Sequence, residues 1–261
     1  MNRRSAVKTP ASAVQVRNLS KSYGKLQVLD QISLEVSKGE FVSIVGASGG
    51  GKTTLLKIIG GLVKPTSGEV LLDGLPPTER RREGYLGFVF QNPVLLPWRT
   101  LEENVRLPLE ILHQNGFPQE QINELLDTLG LSGFETSYPR QLSGGMQQRA
   151  ALARVLLYKP SLLLMDEPFG AVDEITRTRL NFELLKVWEK FHTTILFVTH
   201  SLDEAILLSD RVVVLTSRPA KIYRILTVDL PRPRSMETMN SAQFHDLVRW
   251  TRERLKIDSQ S

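Results

Sequence analysis

The sequence predicts an α/β protein whose core is a mostly parallel β-sheet, with an antiparallel β flap ahead of it and a helical subdomain inserted into it. Three observations predict this architecture. Short apolar runs typical of buried strands alternate with helical segments over residues 161–215. Helical periodicity fills most of residues 91–157, and β-rich segments separated by turn residues precede residue 41. The 261 residues, 41% of them hydrophobic, suffice for one core and a subdomain.

The order of these segments predicts the domain boundaries. The predicted units are, in chain order, a disordered tail (1–13), one domain (14–230) whose core (14–90 and 158–230) surrounds the helical subdomain (91–157), and a C-terminal linker and helix (231–261). The last helix places Phe244, Leu247, Val248, Thr251 and Leu255 on one face. That face could lie on a membrane surface, but docking on the domain's own core is the more common arrangement and is expected here.

A glycine-rich loop follows the first predicted strand of the core, residues 41–45. The loop and the helix after it form a phosphate-binding P-loop, in which glycines let successive backbone N–H groups point at phosphate oxygens. The positive N-terminal end of the helix favours the same anion. Lys52 is predicted to contact the β- and γ-phosphates and the Thr53 hydroxyl to bind Mg²⁺. The predicted ATP-binding residues of the loop are Gly46, Ala47, Ser48, Gly49, Gly50, Gly51, Lys52, Thr53 and Thr54.

Two carboxylates end a second buried-strand pattern at residues 162–165. Asp166 is predicted to hold Mg²⁺, directly or through water. Successive side chains on a strand point in opposite directions, so Glu167 can face the water that attacks the γ-phosphate and act as its general base.

A third motif, Leu142-Ser143-Gly144-Gly145-Met146, opens a helix between these two halves. Its N-terminus presents backbone N–H groups and the Ser143 hydroxyl to an anion. A second phosphate contact within one chain would repeat the work of the P-loop, and a serine cap with flexible glycines also explains the turn by itself.

The order of the three motifs resembles the ATP-binding-cassette (ABC) family, whose subunits sandwich ATP between two facing copies. The resemblance implies that Ser143, Gly144 and Gly145 face the γ-phosphate held by the other subunit. It also implies roles for four further residues: Gln91 touches the metal and the water and contacts the membrane partner, His200 holds the γ-phosphate and positions the base, Asp173 faces the dimer interface, and Tyr23 stacks on adenine.

Several segments are similar to one importer subgroup, which carries nitrate, sulfonate, taurine and related small solutes. These are residues 95–99, 168–173, 218–222 and 228–234, together with Met146. Met146 stands where many family members have glutamine, and Gly50 where serine or cysteine is common. Neither departure removes a phosphate or metal ligand.

Composition excludes several other classes of protein. The chain has no cysteine, which excludes a disulfide scaffold and a thiolate metal site, and no apolar stretch of bilayer length. The net charge is +5, but the basic residues are scattered along the chain, as is typical of a solvated surface. No nucleic-acid partner is therefore expected. The predicted location is the cytoplasmic face of the cell membrane, where permease subunits would hold the chain peripherally.

The sequence therefore predicts the ATP-binding and ATP-hydrolysing subunit of an ABC importer, with ATP and Mg²⁺ as its ligands. The expected partners are a second copy or a paralogous ATPase subunit, transmembrane permease subunits and, indirectly, a solute-binding protein. One alternative is a soluble ABC ATPase acting on nucleic acid or ribosomes, and another is a regulatory cassette that does not hydrolyse ATP. The role of Trp98 stays open, since it could be an exposed contact for a permease helix or a surface tryptophan that packs on its own loop.

Overall fold

The computed structural model describes residues 12–80, 84–113, 116–170 and 172–257, with side chains described up to residue 253. Nine strands are described: β1 (Ser12–Tyr23), β2 (Leu26–Ser37), β3 (Phe41–Gly46), β4 (Ser67–Leu72), β5 (Leu86–Val89), β6 (Leu162–Asp166), β7 (Thr194–Val198), β8 (Arg211–Leu215) and β9 (Ile222–Thr227). The described helices are α1 (Lys52–Ile59), α2 (Pro77–Arg80), α3 (Leu101–Ile111), α4 (Gln119–Thr128), α5 (Gly144–Leu156), α6 (Glu174–Phe191), α7 (Leu202–Leu208), α8 (Met236–Met239) and α9 (Ala242–Ile257), with a 3₁₀ turn at Pro139–Gln141.

The larger sheet has six strands in the order β5-β6-β7-β3-β8-β9. Its first five strands are parallel and β9 is antiparallel to β8. Every residue of β6 and β7 is buried, as expected for strands covered by structure on both faces. Parallel pairing places the carboxyl ends of β3, β6 and β7 at one edge of the sheet, and the segments that leave this edge carry the predicted site.

The second sheet is the predicted flap, with antiparallel strands in the order β2-β1-β4. It packs with α1 against one face of the larger sheet, where Val42 and Ile44 of β3 lie. Phe41 and Val45 of the same strand point to the opposite face, into the core shared with the helices. The predicted fold class is confirmed by these two sheets and by the helical insertion.

The amino-terminal boundary differs from the prediction. Strand β1 begins at Ser12, and Ala13 is buried, so the last two residues of the predicted tail belong to the flap. The rest of that predicted tail lies outside the described residues, as does the side chain of Leu255 near the other end of the chain.

Helices α3, α4 and α5 form the inserted block, with no strand among its described residues. Thr100 begins α3 with a capping box, in which its side chain and that of Glu103 satisfy each other's backbone N–H groups. Buried Leu101, Val105 and Leu109 recur on the face of α3 that packs toward α5. No helix in the described part of the chain is both long and apolar enough to cross a membrane.

The C-terminal segment packs on the domain itself. Phe244, Val248 and Thr251 of α9 are buried, and α9 lies against α7. Arg234, in the linker ahead of α9, donates to the carbonyl oxygens of Ile206, Leu207 and Ser209 at the end of α7. Helix C-terminal carbonyls lack intrahelical donors, so this arginine stabilises the end of α7.

We expect Phe244→Ala to destabilise the protein by about 3–5 kcal/mol, because it leaves a cavity under α9. Phe244 is only 1% exposed. Urea unfolding measures the change, and Arg249→Ala, which changes an exposed residue of the same helix, should shift stability by no more than about 0.5 kcal/mol. Equal stability of both variants would show that α9 is not docked in solution.

Candidate nucleotide site

The loop between β3 and α1 holds a conformation that requires glycine at two positions. Gly51 precedes α1 with a φ of +89°, and a Cβ there would lie 2.8 Å from the Leu29 side chain. A Cβ on Gly50 would lie 2.9 Å from the carbonyl oxygen of Ala47. The glycine at position 50, where serine or cysteine is common, therefore fits the tight backbone of this particular loop.

Lys52 points into the hollow of the loop. Its Nζ donates to the carbonyl oxygens of Gly46 (3.0 Å) and Ala47 (2.9 Å). Burial lowers the pKa of Lys52, while the carboxylates of Glu167 and Asp166 oppose that shift. The ammonium thus lies where a phosphate could take over its two carbonyl contacts.

Thr53 and Asp166 meet although they are far apart in the sequence. The Thr53 Oγ1 donates to the Asp166 Oδ1 at 3.0 Å. Asp166 is only 2% exposed, and burial raises the pKa of its carboxyl, partly offset by the bond from Thr53 and by nearby lysines.

The oxygens of Thr53 and Asp166 fit a magnesium ion. Magnesium prefers oxygen ligands and is commonly bound by one or two protein groups that leave room for phosphate and water. No group of three or more histidine, cysteine or acidic side chains able to hold a metal occurs in the described part of the chain. A site with few protein ligands, shared with phosphate, suits this arrangement.

Glu167 and His200 lie beside each other because they follow the neighbouring strands β6 and β7. The Glu167 Oε2 is 3.2 Å from the His200 Nδ1. Glu167 has a left-handed backbone, with a φ of +46°, and its N–H donates to the carbonyl oxygen of Val198 at 2.9 Å. The turn thus directs the Glu167 carboxylate toward the histidine, whose side chain is 62% exposed.

A cleft of about 400 Å³ lies over Lys52, Thr53 and Glu167, whereas Asp166 and His200 do not line it. Its lining consists of Tyr23, Leu26, Val28, Ser48, Gly49, Gly50, Gly51, Lys52, Thr53, Thr54, Gln91, Glu167 and Arg218. Tyr23, at the end of the first flap strand, is about half exposed, so its ring is available to stack on a planar base. Gln91 follows β5 and is exposed at the cleft.

The predicted signature and D-loop residues do not line this cleft. Ser143 caps α5 by accepting a hydrogen bond from the Met146 N–H at 3.3 Å, and Gly144 faces open space. Asp173 caps α6 in the same way through Thr176, and this hydrogen bonding lowers the pKa of its carboxyl. Ser143, Gly144 and Asp173 are exposed, so both helix starts can meet another molecule.

Sequence reasoning did not predict Arg218 as a site residue. In the sequence, Arg218 contributed only to the resemblance to an importer subgroup. The structure places it on the cleft, with its guanidinium near Gly49. Arg218 follows β8, which pairs with β3. Only the strand order, which no local pattern gives, could have predicted this position.

Comparisons with known proteins agree with the geometry. The family described as "ABC transporter" matches residues 29–170. The chain is 48% identical over 247 residues to an uncharacterized ABC transporter ATP-binding protein of Methanocaldococcus jannaschii, covering 90% of this chain and 89% of that protein. It is 45% identical to an aliphatic sulfonates import ATP-binding protein of Bacillus cereus, covering 87% of this chain and 88% of the relative. A nitrate import ATP-binding protein of Synechococcus elongatus is also 45% identical. The match covers 86% of this chain and 34% of that longer protein.

Solved structures give the same result. A dimeric bacterial ABC transporter cassette superposes with a TM-score of 0.76 at 36% identity, covering 84% of this chain and 100% of the other. A second dimeric structure of the same cassette, in a post-hydrolysis state with ADP and Pi, has a TM-score of 0.75 at 35% identity, with the same coverage. The predicted resemblance is therefore confirmed, and the chain belongs to the ABC transporter family as one of its ATP-binding, ATP-hydrolysing subunits.

Proposed function

We propose that this protein is the ATPase subunit of an importer for a small solute of the nitrate, sulfonate or taurine type. The grouping of Lys52, Thr53, Asp166 and Glu167 at one sheet edge carries the proposal for ATP hydrolysis. Import is inferred from the relatives named as sulfonate and nitrate import proteins. Those relatives favour import over a soluble ATPase acting on nucleic acid or ribosomes.

Each group of the cleft has a proposed part in hydrolysis. Tyr23 stacks on adenine, while Lys52 and the loop N–H groups bind the phosphates of ATP. Thr53, Asp166 and Gln91 would hold Mg²⁺, which when bound neutralises charge on the phosphates.

Glu167 accepts a proton from the attacking water, so that the hydroxide oxygen can bond to the γ-phosphorus as the bond to ADP breaks. His200 contacts the γ-phosphate and orients the Glu167 carboxylate, 3.2 Å away. The retained acid and base groups support a hydrolytic cassette and argue against a purely regulatory one.

The complete site is proposed to need two chains. The start of α5, where Ser143 and Gly144 are exposed and Gly145 is half-buried, offers N–H groups to the γ-phosphate bound by a facing subunit. Asp173 lies at that interface. The facing subunit is a second copy or a paralogue. One similar cassette is a dimer in two solved structures, which supports this arrangement.

The loop after Gln91 is the proposed contact with the permease. Asn104 is fully buried, and its side chain hydrogen-bonds the backbone of Leu96 in both directions. The Arg154 guanidinium donates to the carbonyl oxygen of Val94 at 2.6 Å. These bonds fix a backbone from which Val94 (54% exposed) and Trp98 (70% exposed) project into solvent.

Held in this way, the loop could pass a shift at Gln91 to a permease helix seated on these apolar side chains. The permease would keep the subunit at the cytoplasmic face of the membrane. A solute-binding protein would reach it only through the permease.

We expect Glu167→Gln to lower ATP hydrolysis by ~10²-fold or more while ATP still binds, because the amide keeps the shape but cannot accept the proton. Lys52→Ala should instead weaken ATP binding by about 1.5–3 kcal/mol, since it removes a charge-assisted contact. Phosphate release and nucleotide titration measure the two effects. Glu120→Gln, at the exposed start of α4, is the matched control, and near-normal turnover in Glu167→Gln would refute the assignment.

A second experiment tests the shared site. Glu167→Gln protein should dimerise in sedimentation only when ATP and Mg²⁺ are present, because the bound nucleotide joins the two surfaces. Adding Ser143→Arg should abolish the dimer through bulk and charge, whereas Ser132→Arg, at an exposed serine of the same subdomain, should not. A monomer that persists with saturating ATP would contradict the two-chain site.

A third experiment tests the docking loop. Val94→Ser combined with Trp98→Ser should weaken pull-down of the co-expressed permease by about tenfold or more, the scale of losing a central aromatic contact. ATP affinity of the isolated chain should not change. Tyr223→Ser, at an exposed aromatic residue of β9, is the control. Undiminished assembly would place the docking surface elsewhere.

A further inference from the structure

Glu204 is a buried carboxylate that the proposed chemistry does not use. It lies in the first turn of α7, four residues after His200, and is 7% exposed. Burial raises the pKa of its carboxyl, and the Thr199 hydroxyl and the Arg177 charge oppose that shift. An acid is expensive to bury unless its neighbours stabilise it, so its position calls for a specific partner.

The hydrogen bonds of Glu204 involve the two residues that flank His200 in the chain. The Thr199 hydroxyl donates to the Glu204 Oε2 and accepts the N–H of Ser201 at 3.0 Å. The Ser201 hydroxyl in turn accepts the N–H of Glu204 at 3.3 Å. Thr199, directly before His200, is thus bonded to the Glu204 carboxylate, and Ser201, directly after it, to the Thr199 hydroxyl and the Glu204 backbone. The histidine side chain itself projects toward Glu167.

Arg177 connects the same carboxylate to the D-loop. Its Nη2 donates to the carbonyl oxygen of Val172 at 2.7 Å, and its backbone N–H donates to that of Asp173 at 2.8 Å. The Arg177 charge favours the ionised form of Glu204. One side chain therefore contacts the turn that carries Asp173 and also acts on the acid behind His200.

The Arg177 and Glu204 side chains each have a polar atom without a hydrogen-bond partner in the described part of the chain. The Arg177 Nε and the Glu204 Oε1 are both buried and have no hydrogen-bond partner among the described residues. Buried polar atoms without partners cost free energy, so each of these two groups would gain from a rearrangement that supplied a partner.

We propose that Glu204 is a positioning residue that holds His200 against Glu167, and that Arg177 links this position to the D-loop at Asp173. The inference rests on the role of His200 proposed above. Contact of a facing subunit with Asp173 would move the start of α6, and Arg177 would transmit that movement through Glu204 and Thr199 to His200. Hydrolysis in one chain would thereby depend on the contact between its own D-loop and the facing subunit.

The first test is Glu204→Gln, which keeps the shape and an acceptor for Thr199 but removes the charge that faces Arg177. We expect kcat for ATP to fall about 10- to 100-fold, the effect of displacing a reacting group by about an ångström. The KM for ATP should stay within about twofold, since Lys52 and the N–H groups of the P-loop still bind the phosphates. Asp203→Asn changes the neighbouring acid, whose side chain is half exposed, and should leave both constants unchanged. Unchanged kcat in Glu204→Gln, or a loss confined to KM, would overturn the proposal.

Double variants separate positioning from general destabilisation. In a His200→Ala background, Glu204→Gln should cost less than about twofold more in single-turnover rate, because residues that act through one another are not additive. Arg177→Met combined with Glu204→Gln should likewise lower the single-turnover rate no more than Glu204→Gln alone. Multiplying effects in either pair would refute the corresponding link. Full activity of His200→Ala alone would refute the proposed role of the histidine instead.

Thr199→Val provides a second route if Glu204→Gln does not fold. It removes the hydroxyl that joins Glu204 to the residues around His200. We expect it to lower kcat as Glu204→Gln does, and to cause no further loss in the His200→Ala background. Thr199→Ser, which keeps the hydroxyl, should restore at least half of the wild-type kcat. Failure of serine to restore activity would show that packing by the threonine methyl, not the hydrogen bond, is required.

Discussion

The parallel pairing of β3, β7 and β6 is the constraint on which the rest of the site depends. Asp166 pairs with Val198 in register, so the turns after these two strands place Glu167 beside His200. The β3–β7 pairing brings the P-loop to the same edge, where Thr53 meets Asp166. A slip of one residue would turn each inward side chain to the other face of the sheet. Two buried cores, one on each face, oppose such a slip.

Buried charges are arranged so that each is stabilised by a neighbour. Burial lowers the pKa of Lys52 and raises that of Asp166, and each group counteracts the shift of the other. Each charge therefore supports the charged form of the other. A bound phosphate would add negative charge beside Lys52, and a cation would add positive charge beside Asp166. The charges at this edge of the sheet thus suit a phosphate-bearing ligand.

The helical segments outside the sheet act on the same edge by different routes. Asn104 and Arg154 fix the loop that leaves Gln91, while α9 and Arg234 support α7 behind His200. The exposed starts of α5 and α6 use serine and aspartate caps, which order the helix ends. The molecule thus combines a rigid centre with surfaces that can receive other chains.

The sequence by itself determined the P-loop, the acidic strand end, the serine cap of α5 and the alternation of strands and helices. These features depend on residues that are neighbours in the chain, where glycine, strand and helix preferences act locally. The tertiary structure alone decided that Arg218 lines the cleft, that Glu204 lies buried behind His200, and that β1 already includes Ala13. Thr53 and Asp166 are 113 residues apart, and their 3.0 Å contact depends on strand order, which is set by long-range packing of the whole core.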